Sequence, residues 1–248
     1  MPPCFQNEIH IHELYSHNGV TIWYANIPDI INAFFATATY HKSLVGVNEI
    51  FKKQDFRFPC FSSIEIETVN GFKALKKQVE WMAGRYLIKQ MIQTLFLPGH
   101  SLEAISLGYM EHGAPFVKNH SQISFSLSHS HAYTTAACSE NPGQSLGIDI
   151  EKISGKPGQA FLRTAFTQNE ISDMEDTAVD IFKRWTIKEA YLKFIKKGFH
   201  ESLHQVEIIG NRIFHRGTPV PIDIFSQQIQ NDYIVSLVSE ALPPHEIK

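Results

Sequence analysis

Residues 182–198 read FKRWTIKEAYLKFIKKG, and no other stretch restricts the possible folds as strongly. Wound as a helix, the stretch places Ile187, Ala190, Tyr191, Phe194 and Ile195 at offsets 0, 3, 4, 7 and 8, the apolar stripe of a core-packed amphipathic helix. Glu189, Lys193 and Lys196 fall on the other side, with Glu189 and Lys193 one turn apart. One reading is an i,i+4 Glu–Lys pair on a solvated face, adding about 0.2–0.5 kcal/mol to the helix. Trp185 argues against it, because a large aromatic ring one turn before Glu189 has little use on a wet surface.

A second stretch bears on the same question. In Leu146-Gly147-Ile148-Asp149-Ile150-Glu151 the two isoleucines point one way along a strand and the two carboxylates the other. Residues two apart on one face stand about 6.6 Å apart, so the charges repel unless a cation or a proton joins them. Carboxylates with open water positions are the usual Mg²⁺ arrangement, completed by a substrate phosphate. The bland alternative is a strand with a wet acidic face, with Lys152 neutralising one acid. Together with Glu189, the nearby lysines and an upstream Ser128-His129 at a strand end, the acids suit metal-assisted phosphoryl chemistry. No Walker loop, GxSxG elbow, HExxH or GxGxxG is present.

Charge and cysteines narrow the setting. A formal net charge of −3 gives no reason to expect nucleic acid or anionic lipid as a partner. Cys4, Cys60 and Cys138 are odd in number and widely spaced, which predicts reduced thiols and a cytoplasmic setting. The first 20 residues hold no apolar core, so no secretory leader is expected, and no run of 18 apolar residues predicts a membrane span. His10 and His12 alternate with Ile9 and Ile11 as on a strand edge, with no third ligand at a useful spacing for a metal.

The rest of the chain reads as mixed structure. Strands are expected at 20–25 and 64–68, at 123–128, and at 132–139 and 145–151, the last three as a meander around the Asn141-Pro142-Gly143 turn. Helices are expected at 29–37, 72–95, 161–166 and 169–176, the last capped by Thr167. Gly71 opens the long helix, Gly84 inside it hints at close packing, and Phe58-Pro59 marks a loop. Four more strands follow the 182–198 helix, and the Pro243-Pro244 tail is expected to fray. The expected fold is α+β: two similar halves, each a long helix on a small antiparallel sheet, divided as residues 1–142 and 143–248.

Gly147-Ile148-Asp149-Ile150-Glu151 followed by Trp185-Thr186-Ile187-Lys188-Glu189-Ala190-Tyr191-Leu192-Lys193 resembles the paired signature of the 4′-phosphopantetheinyl transferase family. Ser128-His129, the Gly113-x-Pro115 turn, Phe166 with Glu170, and Ala83-Gly84-Arg85 are similar to further family motifs, in family order over about residues 72–200. The resemblance to the larger, monomeric members implies a pseudo-dimeric fold with its site between the halves. It implies transfer of phosphopantetheine from coenzyme A to a serine of an apo acyl or peptidyl carrier protein, with release of adenosine 3′,5′-bisphosphate. By the same resemblance, Asp149, Glu151 and Glu189 would hold Mg²⁺, and Glu189 would serve as base for the carrier serine. Lys193 would contact the diphosphate and assist the leaving group. Ser128, His129, Gly113, Arg85 and Asp149 would bind the coenzyme. Ala114 departs from the family, where a basic residue is common; Lys118 or a backbone N–H is the expected substitute. Lys188 is open between a structural salt bridge and a coenzyme contact, His131 is expected at the surface, and His112 is within reach of the cofactor. Phe199, after the 182–198 helix, is expected to contact the carrier. Two other classes remain: a Mg²⁺-dependent nucleotide-diphosphate hydrolase, and a non-catalytic coenzyme A or carrier binder.

Overall fold

The structure is a computed structural model that describes residues 9–35 and 60–241. Cys4, the end of the expected helix at 36–37, the Phe58-Pro59 loop and the Pro243-Pro244 tail lie outside the described residues, as does the side chain of Phe199. Within them, antiparallel sheets and six α-helices alternate.

The first half of the chain builds a helix on a sheet. Strands β1 (Ile11–His17) and β2 (Val20–Asn26) lead into α1 (Ile27–Phe35). His12 stacks on Tyr24 with ring centroids 4.9 Å apart, an edge-strand contact between side chains. Helices α2 (Ser63–Asn70) and α3 (Leu75–Leu95) follow. Where the alternation of Ile64 to Thr68 predicts a strand, the chain is helical. Ser62 caps α2 in a full capping box with Glu65, and those two bonds override the period-two pattern. Gly71 ends this helix, accepting no role at the start of the next.

Strands β3 (Leu107–Tyr109) and β4 (Pro115–Val117) form a hairpin around Gly113, whose φ of +81° suits glycine. Strands β5 (Ser124–Ser130) and β6 (Tyr133–Ser139) complete a four-stranded antiparallel sheet of order β1-β2-β6-β5. His131 takes the positive-φ corner of the β5–β6 hairpin and is exposed. Helix α3 lies on one face of this sheet. A Cβ on Gly84 would meet Leu127 at 3.3 Å and Thr134 at 3.5 Å, which explains the glycine.

The expected three-strand meander does not form. Strand β7 (Leu146–Lys152) leaves β6 after the Asn141 turn and pairs instead with the distant β12 (Tyr233–Glu240). The reason lies in alternation. Ile148 and Ile150 find apolar partners in Val235 and Leu237 and in Val20, Ile22 and Ala137 of the first sheet, sealing a core between two stacked sheets.

The second half follows from β7. Helices α4 (Gln159–Ala165), α5 (Gln168–Asp173) and α6 (Ala178–Phe194) come next, α5 capped by a Thr167–Glu170 capping box. Strands β8 (Val206–Ile209), β9 (Arg212–His215) and β10 (Thr218–Pro219) make a small sheet, and β11 (Ile222–Ile229) joins β12 and β7 in another. Ile187, Ala190, Tyr191 and Leu192 of α6 pack on Val206, Ile208, Ile213 and Val238. The layers therefore run α3, four-stranded sheet, β7-containing sheet, α6.

Candidate active site

Helix α6 lies unusually close to β7, and Gly147 is the reason. A Cβ there would stand 2.1 Å from the Ala190 carbonyl oxygen and 2.5 Å from the Phe194 amide nitrogen. Only a bare backbone lets the helix settle, and the approach brings its polar side over the acids of β7. The side of α6 that carries Glu189 and Lys193 therefore faces a strand, and the alternative of a solvated Glu–Lys face does not hold.

Lys193 anchors the contact. Its Nζ donates to Asp149 Oδ1 (2.7 Å), to Ser128 Oγ (2.8 Å) and to the Ile148 carbonyl (2.9 Å). Ser128 donates to the same Asp149 Oδ1 at 2.7 Å. Asp149 is 2% exposed, and its other oxygen, Oδ2, is buried with no hydrogen-bond partner among the described residues. Such an orphaned carboxylate oxygen calls for a cation or proton donor.

Ser128 belongs to a stripe. Ser126, Ser128 and Ser130 project from β5, the edge of the first sheet, toward β7. Ser126 Oγ accepts from the Ile148 amide (3.1 Å), and Ser130 donates to Glu151 Oε2 (2.8 Å). The serines join the two edges side chain by side chain, and the acids sit on that joint.

Glu189 and Glu151 carry the imprint of this crowding. Burial, then the charge of Asp149, pushes Glu189 up to about 8, with Lys193 opposing and Glu151 adding to the rise. Glu151 is also raised, first by burial and then by Asp149, while Ser130, Lys193 and Trp185 pull it down. As the side chains stand, no three His, Cys, Asp or Glu groups among the described residues gather tightly enough to grip an ion at once. The donor set nevertheless fits a hard cation, with oxygens only and one buried carboxylate oxygen left over.

The other sequence candidates fall at different distances from this centre. His129 leaves β5 on the face opposite Ser128, with Nδ1 3.7 Å from Glu80. Partial burial lowers its pKa against the pull of Glu80, and the charges of Lys193 and Asp149 also reach it. A cavity of about 290 Å³ opens beside Lys193, lined by Gly113, Ala114, Phe125, Leu127 and Lys196. His112 lines it too, its ring 5.0 Å from that of His200. Arg85 is turned inward: it is 5% exposed, donates to Tyr109 Oη (2.8 Å), faces the Trp81 ring and lies 3.6 Å from Glu65. Lys188 is also interior and pairs with Glu170 at 2.7 Å. The sequence reading missed the corresponding pair beneath α3, Lys89 with Glu65. Phe61-x-x-x-Glu65, the same spacing as Phe166-x-x-x-Glu170, was the signal available for it.

Fold and site together define an α+β protein with a buried acid–lysine centre at the junction of two sheets. The sequence profile of the 4′-phosphopantetheinyl transferase superfamily matches residues 145–238. The 4′-phosphopantetheinyl transferase gsp of Aneurinibacillus migulanus is 32% identical over 171 residues, covering 64% of this chain and 67% of that protein. The 4′-phosphopantetheinyl transferase of Bacillus subtilis is 30% identical over 164 residues, covering 62% of each chain. The 4′-phosphopantetheinyl transferase psf-1 of Bacillus pumilus is 31% identical over 160 residues, covering 61% of this chain and 65% of its own. The chain belongs to the 4′-phosphopantetheinyl transferase family.

Proposed function

We propose that the protein transfers 4′-phosphopantetheine from coenzyme A to a serine hydroxyl of an apo acyl or peptidyl carrier protein. The observation that carries this is the meeting of Asp149, Lys193 and Ser128 within hydrogen-bond distance, with Asp149 close enough to raise the proton affinity of both Glu189 and Glu151, and Glu151 adding to the rise at Glu189. The family relationship supports the same reading. It covers roughly two thirds of the relatives' length, and the substrates follow from it by analogy.

In this reading Glu189 takes the proton of the carrier serine. The serine oxygen forms a bond to the phosphorus that carries the pantetheine arm. The bond from that phosphorus to the bridging oxygen breaks, and adenosine 3′,5′-bisphosphate leaves with the negative charge. Lys193 spends its three N–H groups on Asp149, Ser128 and the Ile148 carbonyl, but unlike a fully buried lysine it lines the cavity, where one of these bonds would be exchanged for the leaving oxygen. Asp149, Glu151 and Glu189 would hold Mg²⁺, with the free Asp149 Oδ2 the foremost ligand. When bound, the ion would spread the diphosphate's charge and loosen the proton on Glu189.

By the family relationship Ser128 and His129 would bind phosphate oxygens, each from its own face of β5 and Ser128 by releasing its proton from Asp149, and Gly113 lines the same cavity as Lys193. Lys196, which lines this cavity together with Ala114, would supply the charge that Ala114 lacks. Arg85 has its guanidinium engaged in the interior and serves the shape of the site through Tyr109.

The protein works as a monomer in the cytoplasm. Its halves, 1–142 and 143–248, descend from one duplicated unit. The support is the repeated arrangement of Phe61, Glu65 and Lys89 beneath α3 and Phe166, Glu170 and Lys188 beneath α6. No helix among the described residues is long and apolar enough to cross a membrane.

The test is incubation with coenzyme A, Mg²⁺ and a panel of apo carriers. At least one carrier becomes heavier by one phosphopantetheine. Coenzyme consumption that needs no carrier would instead indicate a hydrolase, and binding without turnover a binder.

A further inference from the structure

Lys188 neighbours Glu189 but points about 100° away around α6. Its side chain is fully buried. Its ammonium donates to Glu170 Oε2 (2.7 Å), the Ala165 carbonyl (2.8 Å) and the Leu203 carbonyl (3.1 Å). An ammonium has three N–H groups, so none remains for a phosphate. Glu170 is equally committed, accepting from the Thr167 amide at Oε2 (2.8 Å) and the Ile208 amide at Oε1 (2.9 Å). One point on α6 thereby holds the end of α4, the start of α5, the turn before β8, and β8 itself.

We infer that Lys188 is a positioning residue: its bond to Glu170 fixes the rotation of α6 that turns Glu189 and Lys193 toward β7, and it does not touch the coenzyme. The chemical consequence rests on the transferase reading above; the joint itself does not.

The same joint beneath α3 separates this role from the chemistry. Lys89 is fully buried, bonds Glu65 and donates to the Cys60 carbonyl (3.0 Å). Each glutamate is the third residue of a capping box, and each ammonium faces a phenylalanine, Phe61 at 5.9 Å and Phe166 at 5.0 Å. An arginine precedes each lysine by one turn, Arg85 and Arg184. Yet where α6 continues with Glu189 and Lys193, α3 has Gln90 and Thr94. The joint persists on a helix that lacks both reactive side chains, so its purpose is to seat a helix.

The experiment compares wild type with K188M, E170Q and the double variant by thermal unfolding, coenzyme A calorimetry, and kcat and KM. K188M leaves Glu170 buried and unpaired. It should unfold earlier and lose about tenfold or more in kcat, with KM and coenzyme affinity within about twofold of wild type. The double variant removes both charges and should recover the unfolding midpoint and most of the lost kcat. A double variant with a wild-type midpoint but about tenfold weaker coenzyme binding would overturn the inference. So would K188M that is as stable and active as wild type. Should K188M and the double variant fail to fold, K188R decides: lowered kcat at unchanged KM supports positioning, raised KM for coenzyme A overturns it. If wild type itself transfers nothing, the functional reading fails, while the unfolding cycle still tests the joint.

Discussion

The Ala190 carbonyl oxygen lies where a side chain on Gly147 would have to go, 2.1 Å from the missing Cβ. The obstacle is backbone on a packed helix and cannot swing aside. G147A should therefore shift α6 off β7, destabilise the fold by about 1–3 kcal/mol or more, and cut transfer far more than stability alone explains. Denaturant unfolding alongside steady-state kinetics checks this. A fully active G147A would mean that the close approach is not needed.

Lys193 and Asp149 make a second test. Removing the lysine leaves a carboxylate 2% exposed with only Ser128 as donor. K193A should lose about 3 kcal/mol, most of it the cost of an unpaired buried charge. D149N, which removes the charge and keeps the shape, should cost less stability yet also abolish transfer. Comparing the two in one urea series separates the structural role of the pair from the chemical one.

Glu189 predicts a pH dependence of known sign. Its folded pKa stands near 8, raised chiefly by burial, above the ordinary carboxylate value. The folded state then binds the proton more tightly than the unfolded chain. Stability without Mg²⁺ should be fullest below about pH 4.3 as far as this group is concerned, and should fall as pH rises through about 8. Glu151, shifted in the same direction, adds to the slope. E189Q should flatten the profile, and saturating Mg²⁺ should move the wild-type decline to lower pH. A wild-type profile with no such decline in chelator would remove the acid cluster as described.

Glu201 titrates in the opposite sense. Arg216 and Lys197 hold its carboxyl down to about 2. Its contribution should be present above the ordinary carboxylate range and be lost as pH falls toward 2. The side chains of Arg216 and Lys197 are well exposed, so E201Q should lower stability only modestly near neutral pH, and the difference from wild type should vanish as pH falls toward 2.

Much of the site was legible because its motifs encode contacts. Alternate acids at 149 and 151 mark a strand with two carboxylates on one face, and the i,i+4 spacing of Glu189 and Lys193 aims both the same way, whereas the close helix crossing that Gly147 admits shows only in the fold. Thr167 could be read as a cap because its partner Glu170 follows three residues on. The same logic applied to Ser62 and Glu65 would have found α2, but Ile64 and Ile66 imitate a strand. Strand pairing was not legible. Nothing local tells β7 to leave β6 for β12, a choice made by which faces can bury Ile148 and Ile150. Interior charges also escaped. Arg85 reads as a phosphate ligand from its motif, whereas Glu65 and Tyr109, far away in sequence, claim its guanidinium.

The most direct measurement is the mass of an accepted apo carrier after incubation with coenzyme A and Mg²⁺, wild type against E189Q, with coenzyme binding followed in parallel. One added phosphopantetheine is expected with wild type, and an unmodified carrier with E189Q although coenzyme A still binds. A carrier modified equally by both would contradict the role of Glu189 as base.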